Sequence, residues 1–206
     1  MIEWSGIFHV MATPFTDGGD LDSSGLPRLV ESALATGLNG VTVLGIAGEA
    51  HRLTEDERRR VIETVVKKTR GRVPVVAGVS ASGTHLATSF TRMAQEHGAD
   101  ALMVAPPAGL KNLDAVAEYY RTVAAAASIP LVLQDEPVTT QVTMPPISWP
   151  ACAVRSPRSR RSSSRRLRPC PRSRGCASSC RGAWRYSEGS GASTSSRSSR
   201  AAPTAP

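Results

Sequence analysis

Residues 1–147 predict an α/β fold with a parallel sheet, on three observations. Short apolar runs alternate with amphipathic helical patterns about every 30 residues. The runs are near-continuous in Val, Leu, Ile and Ala rather than alternating, as in parallel strands covered on both faces. Polar or conformationally special residues sit where each run ends.

Taken in order, the expected strands are Ile7–Ala12, Val41–Leu44, Val73–Val79, Ala101–Ala105 and Leu131–Leu133. Leu26, Leu29, Val30, Ala33 and Leu34 fall on one face of a first helix that Gly37 can close. Thr54 and Glu57 form a capping box for a second, whose buried stripe is Val61, Ile62, Val65 and Val66. Its Arg58, Arg59 and Arg60 are surrounded by Glu55, Asp56, Glu57 and Glu63, and read as a solvated, self-paired face rather than a nucleic-acid patch. Thr84 is expected to cap a third helix ending at Gly98, and Asn112 or Asp114 a fourth running to about Ala127.

Composition changes abruptly at about Ile147–Ala151. Residues 1–150 carry 12 basic and 16 acidic side chains; the rest carries 13 Arg, 15 Ser, all four Cys and one acid, Glu188. The formal charge of +8 is therefore −4 from the first part and +12 from the second. Val154 and Leu167 are the only aliphatics larger than Ala beyond position 150. So little apolar surface cannot offset roughly 1–2 kcal/mol of backbone entropy per ordered residue. Residues 148–206 are accordingly expected to be a disordered, low-complexity Arg/Ser/Pro tail. Cys170, Cys176 and Cys180 lack the paired spacing of a zinc knuckle, and no His follows position 151, so no metal site is expected. The sequence shows no signal-peptide pattern at Met1-Ile2-Glu3-Trp4 and no stretch approaching the ~20 apolar residues of a membrane span, which suggests a cytoplasmic protein.

Strand–helix alternation alone leaves a barrel and a doubly wound open sheet both possible. No glycine-rich phosphate loop follows any strand, against a nucleotide-binding sheet. The strand ends carry Thr13-Pro14, Gly45–Glu49, Ser80, Pro106-Pro107 and Gln134-Asp135. In barrels such ends build the active site.

The second run ends Val43-Leu44-Gly45-Ile46-Ala47-Gly48-Glu49, followed by Leu53-Thr54-Glu55-Asp56-Glu57-Arg58. With Thr13-Pro14-Phe15 before it, and Val75–Ser80 then Thr84 after it, this resembles the dihydrodipicolinate synthase / N-acetylneuraminate lyase family, from about Gly6 to Pro146. The resemblance implies a class I aldolase-type (β/α)8 TIM barrel, here partial with about five βα units, an intact parent that is a homotetramer, and no cofactor. It implies a lyase acting on pyruvate or another 2-oxo acid through a lysine Schiff base, the iminium serving as electron sink. The loop of Gly45, Ile46, Ala47 and Gly48 would hold the substrate carboxylate through backbone N–H groups.

The match departs from the family at several positions. Ile46 and Ala47 stand where most members have hydroxyl side chains. Gln134 occupies the place of the proton-relaying tyrosine after the fifth strand, and Thr139 that of a following arginine. A second relay tyrosine would fall in Pro106-Pro107-Ala108 and is absent. An amide at Gln134 can orient a substrate but shuttles protons poorly, which points away from dihydrodipicolinate synthase activity and to a divergent member handling another 2-oxo acid or sugar acid. No lysine follows Lys111, so the Schiff-base lysine is missing and this chain is expected to be inactive.

A frameshift near Ile147–Pro150, in the gene or its sequence record, is the hypothesis that accounts for the tail. Codons permissible from Ile147 onward, read two nucleotides out of frame, can encode a helix, a strand ending Val-Lys and a glycine-rich segment in that order. The lysine codon would straddle Ser162 and Ser163. The competing reading is an α/β domain with a Ser/Arg-rich arm that binds RNA or other polyanions; nonspecific polyanion binding by the tail is expected in either case.

Overall fold

The computed structural model describes residues 4–144. Five strands, β1 (Phe8–Val10), β2 (Gly40–Val43), β3 (Val75–Gly78), β4 (Ala101–Val104) and β5 (Leu131–Leu133), form one sheet in the order 1-2-3-4-5. Every pairing is parallel. Helices α1 (Gly25–Ala35), α2 (Glu55–Thr69), α3 (Thr84–Glu96) and α4 (Leu113–Ala126) make the four crossovers. A doubly wound sheet reverses its strand order at a switch point. This sheet never reverses, and its helices pack on one another in sequence, so it is a consecutive arc of a barrel wall.

Alternate residues of the central strands make the main core. Val41 and Val43 of β2, Val75 and Ala77 of β3, and Leu102 and Val104 of β4 pack with Leu26 and Val30 of α1, Val61, Ile62 and Val65 of α2, Phe90 of α3, and Tyr120 and Val123 of α4. Both outer strands are less covered. β5 is half-buried along its length, and β1 leaves Val10 44% exposed. Each has a single strand neighbour among the described residues.

The helix ends follow local chemistry. The Thr54–Glu57 capping box forms as expected: Thr54 accepts from the Glu57 N–H at 3.2 Å and the Glu57 carboxylate accepts from the Thr54 N–H at 2.8 Å. Asn112 rather than Asp114 caps α4, accepting from the Asp114 and Ala115 N–H groups at 2.9 and 3.3 Å. Gly37 follows α1 with a φ of 75°. One expectation is corrected. Thr84 is the first residue inside α3, not its cap; extended Gly83 (φ −122°, ψ 144°) takes the cap position without a side chain to bond the exposed N–H groups.

The arginine face of α2 also needs correction. Arg59 pairs with Asp56 and Glu63, and Arg60 with Asp56, as the charge pattern predicts. Arg58 does not join them: it is 4% exposed and belongs to the buried face. A short helix α5 (Pro137–Thr140), capped by the Glu136 carboxylate accepting from the Thr139 N–H at 2.8 Å, was not foreseen. The tail from 148 to 206, and with it the expectations of disorder, of no cysteine metal site and of polyanion binding, lies outside the described residues. Among those described, no helix is long and apolar enough to cross a membrane.

Candidate functional site

The loop between β2 and α2 is tied to several neighbouring elements. β2 breaks at Leu44, which takes a left-handed conformation (φ 57°), and the chain turns through Gly45–Gly48, closed by the Gly48 N–H donating to the Gly45 carbonyl at 3.1 Å. Glu49, also left-handed (φ 51°), leads into a single 3-10 turn at Ala50–Arg52. Two glycines make this path possible. A Cβ on Gly78 of β3 would lie 2.0 Å from the Leu44 carbonyl oxygen, and one on Gly48 would lie 3.1 Å from the Met11 carbonyl oxygen. Both neighbours are backbone, so Gly78 has no room for a side chain, and a Cβ on Gly48 would require the backbone to give by a few tenths of an ångström.

The loop is tied to the elements around it. The Thr13 hydroxyl, just past β1, donates to the Gly48 carbonyl at 2.6 Å in a buried bond. Behind the loop, the Arg58 guanidinium donates to the Ala50 carbonyl at 2.7 Å. Gly45 and Gly48 are buried, whereas Ile46 and Ala47 are exposed at the turn. The amides of Ile46 and Ala47 make no hydrogen bond among the described residues. Two adjacent N–H groups without partners, at the carboxyl ends of parallel strands, can receive a small anion such as a carboxylate.

The end of β5 is built differently. The Gln134 N–H continues the ladder to the Val104 carbonyl at 2.8 Å, and the Tyr120 hydroxyl donates to the Gln134 carbonyl at 3.4 Å. Asp135 follows with a buried carboxylate oxygen that has no hydrogen-bond partner among the described residues. Burial, and to a lesser extent the charge of Glu136, hold its carboxyl above the usual carboxylate range. Thr139 is exposed on α5, its N–H bound by Glu136. No hydrogen bond links Gln134 or Thr139 to the Gly45–Gly48 loop.

A model of the dihydrodipicolinate synthetase family matches residues 3–151. The chain belongs to that family. The 4-hydroxy-tetrahydrodipicolinate synthase of Methanothrix thermoacetophila is 40% identical over 142 residues, covering 68% of this chain and 48% of that protein. The crystal structure of dihydrodipicolinate synthase from Aquifex aeolicus matches with a TM-score of 0.68 at 33% identity, over 71% of this chain and 50% of that one. The Acinetobacter baumannii dihydrodipicolinate synthase complexed with pyruvate matches with a TM-score of 0.67 at 30% identity, over 69% and 50%. The chain thus spans about half the length of these relatives, and its fold is a partial (β/α)8 barrel.

Within this dihydrodipicolinate synthetase arc, the structure adds residues that motif reading left without a role. Thr13 enters through its buried bond; the sequence signal was its place at a strand end before Pro14. Tyr119, on α4, uses one hydroxyl to donate to the Ala81 carbonyl at 3.1 Å and accept from the Ala81 N–H at 3.3 Å, fixing the segment after β3. Burial raises its hydroxyl above the ordinary tyrosine value, with the Ala81 bond opposing. The Ser80 hydroxyl accepts from the Ala105 N–H at 2.9 Å and joins the ends of β3 and β4. Among the described residues no cluster of His, Cys, Asp and Glu is arranged to hold a metal ion.

Proposed function

We propose that the intact parent of this chain is a cytoplasmic lyase that forms a Schiff base with pyruvate or a related 2-oxo acid, and that this chain lacks that chemistry. The observation that supports the first half is the pair of unengaged amides at Ile46 and Ala47, in a loop at the carboxyl ends of the strands whose Gly48 carbonyl is bonded by Thr13 and whose following Ala50 carbonyl is bonded by Arg58. In this reading the two N–H groups bind the substrate carboxylate. Ile46 and Ala47 supply no hydroxyl to assist, and Gln134 orients the substrate or a water at the place where relatives carry a proton-relaying tyrosine. Thr139 flanks the substrate in place of an arginine. Without that relay, the parent carries out a reaction on pyruvate or a related 2-oxo acid other than the dihydrodipicolinate synthase condensation.

The second half follows from chemistry. Capture of a ketone by an enzyme amine forms a carbon–nitrogen bond and expels water, leaving an iminium that accepts electrons from a breaking or forming carbon–carbon bond. That step needs a neutral primary amine at the mouth of the barrel. The lysines of this chain are Lys67, Lys68 and Lys111. Lys67 and Lys68 end α2, where Lys68 pairs with Glu31 at 3.2 Å, and Lys111 is exposed before α4. None stands at the carboxyl end of a strand.

We attribute the loss to a frameshift near Ile147–Pro150, which makes 1–147 the native part of a homotetrameric parent and 148–206 an out-of-frame tail. Sequencing the DNA across those codons tests this, and an unshifted frame through Pro206 contradicts it. A frame-restored protein assayed against a panel of 2-oxo acids tests the activity: turnover of at least one is expected, and turnover of none overturns the reading.

A further inference from the structure

Arg58 is a buried cation whose cost the stability of the fold does not explain. It sits on the apolar stripe of α2, three and four residues before Val61 and Ile62, where leucine or methionine would pack without desolvating a charge. Among the described residues no carboxylate bonds it. Its guanidinium carbon lies 4.0 Å from the centroid of the Phe90 ring on α3, its Nη2 donates to the Ala50 carbonyl at 2.7 Å, and its Nε has no partner. Burial accordingly pulls its pKa below the ordinary arginine value, with the charge of Glu55 opposing.

The bonded atom gives the arrangement its meaning. Ala50 opens the 3-10 turn that follows left-handed Glu49, and its carbonyl also accepts from the Leu53 N–H at 3.3 Å. The Arg52 N–H donates to the Glu49 carbonyl at 2.8 Å. Arg58 therefore holds the exit of the Gly45–Gly48 loop as Thr13 holds its Gly48 carbonyl. The Phe90 ring fixes the guanidinium plane by a cation–π contact, so the donor is aimed before any ligand arrives.

We infer that Arg58 is a positioning residue for the loop, clamped between Phe90 and the Ala50 carbonyl so that the Ile46 and Ala47 amides stay aligned for a substrate carboxylate. This rests on the carboxylate reading of the loop given above. The full 206-residue chain serves for the test, with Arg58→Met, which keeps the volume, Arg58→Lys, which keeps the charge, and Phe90→Leu. Two quantities are measured by nuclear magnetic resonance: hydrogen exchange at the Arg52 and Leu53 amides, and pyruvate-induced shifts at the Ile46 and Ala47 amides.

Arg58→Met is expected to speed exchange at Arg52 and Leu53 by about tenfold and weaken pyruvate binding by about tenfold, as for one lost charge-assisted bond. Arg58→Lys should recover only part of both, because an ammonium lacks the planar group that stacks on Phe90 while donating to Ala50. Unchanged exchange and affinity in Arg58→Met would overturn the inference. So would an equal rise in exchange at Val76 and Ala77 of β3, which marks general loss of packing. If Arg58→Met does not fold, Phe90→Leu carries the same expectation at a smaller size, and wild-type behaviour there contradicts it. If the unmutated chain shows no pyruvate-induced shift, the carboxylate role of the loop falls, and the exchange data alone decide the clamp.

Discussion

Strands β2 and β5 run parallel in one sheet, yet one ends in an organised loop and the other does not. β2 is buried at all four positions and lies between β1 and β3; β5 is half-buried and has β4 alone beside it among the described residues. The loop after β2 is fixed from three directions, by Thr13, by the close approach of Gly78, and by Arg58. The segment after β5 leans mostly on itself, through Glu136 and Thr139, with help from Tyr120 and from the Gly109 N–H donating to the Thr140 carbonyl at 2.8 Å. A strand end becomes a shaped site when neighbours on both sides supply partners, and an edge lacks half of them.

Leu102 and Leu131 test that contrast most severely, because they are register partners on β4 and β5. Truncation of fully buried Leu102 to alanine should cost about 3 kcal/mol, whereas half-buried Leu131→Ala should cost about 1 kcal/mol. Denaturant midpoints measure both, and equal losses would mean that β5 is as well covered as the centre. Next in size is Thr13→Val, which leaves the Gly48 carbonyl without its buried donor; a loss of about 1–2 kcal/mol is expected, with faster amide exchange confined to the loop.

Smaller effects come from titrating groups. Asp135 has a raised folded pKa, so its ionisation opposes folding as pH rises above the ordinary value of 3.8. Asp135→Asn should therefore raise the melting temperature at neutral pH, and the gain should shrink as the pH falls toward that value. Glu31 has the opposite sign: hydrogen bonds from Arg72 and then Lys68 lower it to about 2 from 4.5. Its contribution is fully present above pH 4.5 and fades as the pH falls toward about 2. Because the group is exposed, this is the smallest effect, read as a slight difference between the chain and Glu31→Gln that vanishes in strong acid.

What the sequence revealed follows the same division. Strands β2 to β4 were legible because burial on both faces imposes continuous apolar runs, and α2 because Thr54 and Glu57 satisfy each other locally. The motif around Gly45–Gly48 was legible too, since close backbone approach at Gly48 favours glycine there. Arg58 was misread because three adjacent arginines among acids look like one surface, although its spacing to Val61 and Ile62 already placed it on the buried stripe. The Thr13–Gly48 bond spans 35 residues, and no local pattern encodes it. Helix α5 has four residues and begins at a proline, too short for any periodicity. The choice between barrel and open sheet needed the strand order, which alternation alone does not fix.

Under the proposed function, a preformed carboxylate-binding loop stands here in a polypeptide without the amine that would use it. Borohydride reduction in the presence of pyruvate, followed by mass spectrometry, tests it on the 206-residue chain and the frame-restored protein side by side. The account predicts no adduct on the first and a stoichiometric adduct on one lysine of the second. A stoichiometric adduct at Lys67, Lys68 or Lys111 of the 206-residue chain would contradict it.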